Sequence, residues 1–209
     1  MATTWEGLCN QSLRKIGVRK RIGSAYEGSE VAKACHELFG QTRDELIRSA
    51  DWDFARRPNV ALTLLKGPPP IGGYGPWQPW TPVYPPPGWG FEYAYPSDCL
   101  QFAAIVPPPT LYPILVPRAA NWRVDDDSFS VTGDAVPPYK GILANMPSAL
   151  CVYRARVTNP ALWTADFVET FVDALAEALV PHLAGNLQLK QAEQQTAVAV
   201  GAAAERRRG

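Results

Sequence analysis

Apolar positions recur along this chain with two different periods, and the changes of period divide it. From Ser29 to Ala55, Val31, Ala34, Cys35, Leu38, Phe39, Leu46 and Ile47 are spaced as on a helix with one buried face, and charged residues fill the rest. Ser29 stands where a hydroxyl can cap the first turn. At the far end, Asp51-Trp52-Asp53-Phe54 puts two rings on one side if the chain turns extended there, so Trp52 and Phe54 are expected as core anchors. An earlier helix carries Trp5, Leu8, Cys9, Leu13 and Ile16, opened by a capping box of Thr3 and Glu6 and closed at Gly17. A last helix follows Trp163, with Thr164 as its N-cap and Phe167, Val168, Phe171, Leu175, Leu179 and Leu183 as its stripe. Pro181 is expected to kink or divide it. Residues 187–208 have helix propensity but little apolar surface, which predicts ordering against a partner.

Between these helices the pattern is that of short strands. Asn59 to Leu65 reads as a strand or extended edge behind Arg56-Arg57-Pro58, and Phe91 to Tyr95 alternates. Leu100 to Val106 is an apolar run, Asn121 to Val124 precedes an acidic turn, and Ser128 to Thr132 alternates again. Leu150 to Val157 is the clearest strand. Residues 67–90 are almost all proline, glycine and aromatic, which forbids a helix or a central strand. Aromatics are scarce in disordered linkers, so Tyr74, Trp77, Trp80, Tyr84 and Trp89 predict an ordered loop that lays its rings on a surface. The expected fold class is α+β: a mainly helical bundle from the N- and C-terminal helices, with an inserted small antiparallel β-sheet and a Pro/Trp-rich loop. The expected division is 1–66 with 159–209 as helical body and C-terminal arm, and 67–158 as the insertion.

Composition narrows the function classes. A chain of 209 residues can bury a core without metal or disulfide support. Its formal net charge is zero, which argues against a dedicated DNA binder but not against a protein past which DNA slides. A basic cluster, Arg14, Lys15, Arg19, Lys20 and Arg21, follows the first helix. Cations there favour the helix dipole, or they form an electropositive collar that meets DNA or an acidic partner. No apolar run reaches membrane-spanning length, and Met1 to Glu6 lacks the features of a signal peptide, so a chain made in the cytoplasm is expected.

The residues that could carry catalysis or hold a metal stand in no motif for either. The cysteines Cys9, Cys35, Cys99 and Cys151 show no paired spacing and read as buried thiols. Neither His36 nor His182 has ligand spacing. Counting an EF-hand loop from Asp125 puts Ser130 at the glycine position and Val136 at the glutamate position. Gly88-x-Gly90 lacks the remainder of a dinucleotide loop, and Asn10-Gln11-Ser12 is a chance sequon. No catalytic, cofactor-binding or metal-binding residues are therefore assigned, and no enzyme activity is expected.

Four blocks carry a resemblance. Leu13-Arg14-Lys15-Ile16-Gly17-Val18 is followed by Ile22-Gly23-Ser24, and Arg43-Asp44-Glu45-Leu46-Ile47 runs into Trp52-Asp53-Phe54-Ala55. Then come Tyr95-Pro96-Ser97-Asp98-Cys99-Leu100 and Tyr153 to Trp163, before a final amphipathic helix. In this order the blocks resemble the head-to-tail adaptor proteins of tailed bacteriophages, in particular the group that includes the tail tubular protein A of short-tailed phages. The resemblance implies a structural protein of the virion neck: a homo-oligomeric ring, twelvefold to match the portal, that joins the portal protein to the tail or another neck protein. DNA would pass it transiently and without sequence preference, and no membrane would be involved. Such a ring closes through heterologous contacts, for which Tyr74, Trp77, Trp80, Tyr84 and Trp89 are the candidate interface. The segment with Leu187, Leu189, Arg206, Arg207 and Arg208 is the candidate portal-binding arm. A virion-associated cell-wall hydrolase and a monomeric recognition module remain as alternatives.

Overall fold

The computed structural model describes residues 4–68, 81–107, 121–128 and 139–183. It divides into two compact units, one of residues 1–49 with 157–209 and one of residues 50–156.

The first unit contains helices α1 (Trp5–Lys15) and α2 (Glu30–Ser49), a short 3-10 turn (Pro160–Leu162) and helix α3 (165–183). Thr4, not Thr3, caps α1: its Oγ1 accepts from the Gly7 N–H at 3.1 Å, so Glu6 falls inside the first turn and no capping box forms. Ser29 caps α2 through the Ala32 N–H at 3.3 Å. Thr164 precedes α3 and its carbonyl accepts from Val168 N–H. The helix continues through the exposed Pro181 to 183 rather than dividing there.

An aromatic cluster holds this unit together. Trp163 lies 4.9 Å from Phe167, 5.0 Å from Phe171 and 6.0 Å from Phe39 between ring centroids, and Phe39 also meets Trp5. The Trp163 indole N–H donates to the Val157 carbonyl, which satisfies its one polar atom in a buried position. Ser12, polar on an otherwise apolar face, is buried because its hydroxyl bonds the Leu8 and Val172 carbonyls.

The second unit is built from seven strands. β1 (Arg56–Ala61), β7 (Leu150–Ala155) and β4 (Cys99–Val106) form one antiparallel sheet in the order β1-β7-β4. β2 (Leu64–Lys66), β3 (Phe91–Ala94), β6 (Tyr139–Ala144) and β5 (Trp122–Ser128) form a second in the order β2-β3-β6-β5. Side chains of both sheets share one core: Phe102, Ile105, Cys151, Tyr153 and Ala155 from the first meet Tyr93, Ile142 and Ala144 from the second. Phe102 and Trp122 touch edge to face at 4.7 Å.

The mainly helical bundle with a small inserted sheet is therefore wrong: the described residues form an α+β structure of three helices and two antiparallel sheets of three and four strands. The physical reason is that the two sheets bury their apolar faces on each other and so make a core of their own. Three local features hid this. The run Asn59 to Leu65 is two strands, because the chain changes sheet between Leu62, whose N–H donates to Ala149, and Thr63, whose carbonyl accepts from Ala94. Pro58 is tolerated because β1 is an edge strand, with a register shift beside Asn59 at φ 55°. The acidic run Asp125 to Asp127 is not a turn but part of β5, with a register shift between Asp125 and Ser128.

Candidate functional site

The C-terminus of α1 is shaped by one glycine. Gly17 adopts φ 79°, its N–H donates to Arg14 and the Val18 N–H donates to Leu13, which closes the helix in a Schellman arrangement. The chain then turns back along α1, where Asn10 grips it. Its amide nitrogen donates to the Ile22 carbonyl at 2.9 Å and its oxygen accepts from the Ile22 N–H at 2.8 Å. Ile22 itself is buried, so the loop between Gly17 and Ile22 is held at both ends.

That loop and the last turns of α1 line a cleft of about 440 Å³, formed by Asn10, Arg14, Gly17, Val18, Arg19, Lys20 and Arg21. All four cationic residues are exposed, and among the described residues none has a carboxylate within ion-pair distance. Lys15, the fifth member of the basic cluster, is different: it pairs with Asp173 of α3. Glu27, whose carboxylate accepts from the Gly23 N–H, feels Lys20 only weakly, as the least of the influences that hold its pKa below the usual value; hydrogen bonding from Ser29 and Gly23 dominates. The terminal carbonyls of α1 offset the cleft's charge by no more than about half a unit. Such an arrangement has the charge to accept an anion.

A second constellation lies in the sheets. Glu92 of β3 is fully buried, on the strand face opposite Tyr93. Lys66 Nζ lies 2.8 Å from Oε2 as an ion contact rather than an aligned hydrogen bond, and the Tyr139 hydroxyl donates to Oε1 at 2.7 Å. Burial, reinforced by the Glu92 carboxylate, pushes the Tyr139 hydroxyl well above its ordinary pKa. Oε2 accepts no hydrogen bond among the described residues, and the Lys66 ion contact with the Tyr139 bond ties β2, β3 and β6 together. No sequence pattern announces it, since Lys66 ends an apolar run and Glu92 simply alternates with rings.

The residues singled out from sequence are dispersed. Trp52 and Phe54 sit in a turn, not a strand; their ring centroids are 6.5 Å apart and both are half-buried, while Ala55 beside them is fully buried. Tyr84 and Trp89 are half-buried in turns before β3, where Asn145 bonds the Gly88 carbonyl and the Gly90 N–H. Tyr74, Trp77, Trp80, Leu187, Leu189, Arg206, Arg207 and Arg208 lie outside the described residues.

Three of the four resemblance blocks meet in the second unit. The Ala155 N–H donates to the Ala55 carbonyl at 2.8 Å, and the Arg156 N–H donates to the Asp98 carbonyl at 2.7 Å. The Tyr153 hydroxyl donates to Asp98 Oδ1 at 2.9 Å. Asp51 faces Arg154 at 3.6 Å and Arg56 at 3.8 Å.

Among the described residues no group of three or more His, Cys, Asp or Glu is arranged to hold a metal ion. None of their helices is long and apolar enough to cross a membrane. No protein-family model matches this chain, and no curated protein matches it.

Proposed function

We propose that this chain is a structural protein of a tailed-phage virion, the adaptor in the neck that joins the portal of the head to the tail. In this reading it acts as a closed ring through which DNA passes, with residues 187–208 as the arm that orders on the portal. The observation that carries the reading is the convergence of separated blocks: the segments around Ala55, Asp98 and Tyr153, chosen for their order in the sequence, are bonded to one another. Residues so placed form one structural corner. The unpaired basic cleft supports contact with an anionic partner, and the neutral overall charge leaves DNA free to move elsewhere on the surface.

The test is mass measurement and negative-stain imaging of the purified chain, alone and mixed with the portal encoded beside it. A ring stacked coaxially on the portal is the expected result. A persistent monomer that ignores the portal would remove the adaptor reading. Replacing Trp77 and Trp80 by Ala is expected to impair ring closure; unimpaired rings would release the aromatic segment from that role.

A further inference from the structure

The geometry points to the cleft at the end of α1 as a site for the phosphodiester backbone of nucleic acid, bound without reading its bases. This goes beyond a ring that DNA merely traverses, and it stands on the cleft's own chemistry whether or not the chain forms rings. Arg14, Arg19, Lys20 and Arg21 surround one concavity without ion-pair partners among the described residues. Crowding like charges works against folding, so the arrangement is expected where an anion completes it. Three of the four are arginine, whose planar fork pairs two donors with two oxygens of one phosphate. The backbone N–H groups of Arg19, Lys20 and Arg21 donate to no protein acceptor among the described residues, which leaves further donors for phosphate oxygens.

The lining decides between anions. Protein interfaces are built around large apolar and aromatic anchors, and Val18 is the one hydrophobic residue in this lining, so an acidic protein segment would find little of that kind to pack on. No aromatic ring lines the cleft, and the Asn10 amide is consumed by Ile22, so a base would find neither a stacking surface nor an unengaged amide. What remains is sequence-independent contact with phosphates. Because the Gly17 cap holds one end of the loop and the Asn10–Ile22 pair the other, its cations are presented by an ordered backbone.

The experiment is fluorescence anisotropy of the full chain with short labelled duplexes of two unrelated sequences, titrated over salt. Four cations predict a slope of log affinity against log salt of about −3.6, equal for both sequences. Replacing Arg19 and Arg21 together by Gln should reduce that slope by about 1.8 and weaken binding on the order of tenfold at low salt. Lys33→Gln, which removes an exposed cation already paired with Glu30, should change neither. Circular dichroism of the double variant guards against misfolding. Absence of duplex binding at low salt, an unchanged slope in the double variant, or a difference between the two sequences would overturn the inference. So would poly-glutamate competing as well as a third duplex, which would reassign the cleft to acidic protein. Inorganic phosphate displacing the duplex at matched ionic strength would reassign it to free phosphate. None of these readouts depends on ring formation or portal binding, so this inference and the adaptor reading fail separately.

Discussion

At the scale of single residues, the positions that matter most are polar groups placed where water cannot reach. Lys66→Met would leave the fully buried Glu92 carboxylate without its cation and is expected to cost about 3–5 kcal/mol in urea unfolding. Replacing Lys66, Glu92 and Tyr139 together by Met, Leu and Phe should recover most of that loss, because no buried charge then remains. Recovery failing would mean that the group stabilises beyond satisfying its own members. Alkaline stability depends on buried proton-bearing groups, of which Tyr139 is one and Tyr153 and Cys151 are others. Burial and the hydrogen bond to Asp98 raise the Tyr153 hydroxyl from 10.0 to about 12, and burial raises the Cys151 thiol from 9.0 to about 11. Between those values the folded state holds protons that the unfolded chain has released. Stability is therefore full below about pH 9 and falls as pH rises through 11 to 12. Tyr153→Phe should lower stability at neutral pH by about 1 kcal/mol yet flatten its decline above pH 10, as read from urea midpoints over pH.

At the scale of elements, termination and anchoring are separable. Gly17 has open space where a Cβ would stand, so Gly17→Ala pays through its left-handed backbone alone, an expected loss of about 1 kcal/mol in thermal unfolding. Gly17→Asn should lose less, since asparagine tolerates that region. Trp163 anchors the start of α3 by packing on Phe39, Phe167 and Phe171, and Trp163→Ala is expected to cost about 3–5 kcal/mol. The helices were legible because each keeps one apolar stripe over several turns. The strands were legible where alternation survived, as in β7, whose residues are alternately half-buried and buried, or where a bounded apolar run stood out, as in β4. β6 was missed altogether: Gly141, Ile142, Leu143 and Ala144 are all buried, so a central strand shows no alternation to find.

At the scale of the whole molecule, the two compact units each carry their own apolar core, one aromatic and helical, the other shared by two sheets. If the chain is the adaptor proposed above, removing residues 187–208 should abolish portal binding while leaving thermal unfolding of the helical unit unchanged. A lowered melting temperature in the truncated chain would instead make that segment part of the core. The candidate site was half legible. The basic cluster stands out in the sequence, but as five equivalent cations, and only the fold separates Lys15, taken by Asp173, from the four that surround the cleft.

The sequence by itself determined where α2 and α3 begin, which face each helix buries, and that the cysteines are widely spaced. These are local properties, set by side-chain periodicity, capping groups and backbone restriction within a few residues. Only the tertiary structure decided that the strands form two sheets facing each other, that Glu92 meets Lys66 and Tyr139, and that Asn10 ties down a basic loop. Each of those depends on partners brought together by folding: strand order, a charge's partner and a loop's tether are contacts in space, and one chain's local pattern is compatible with many sets of them.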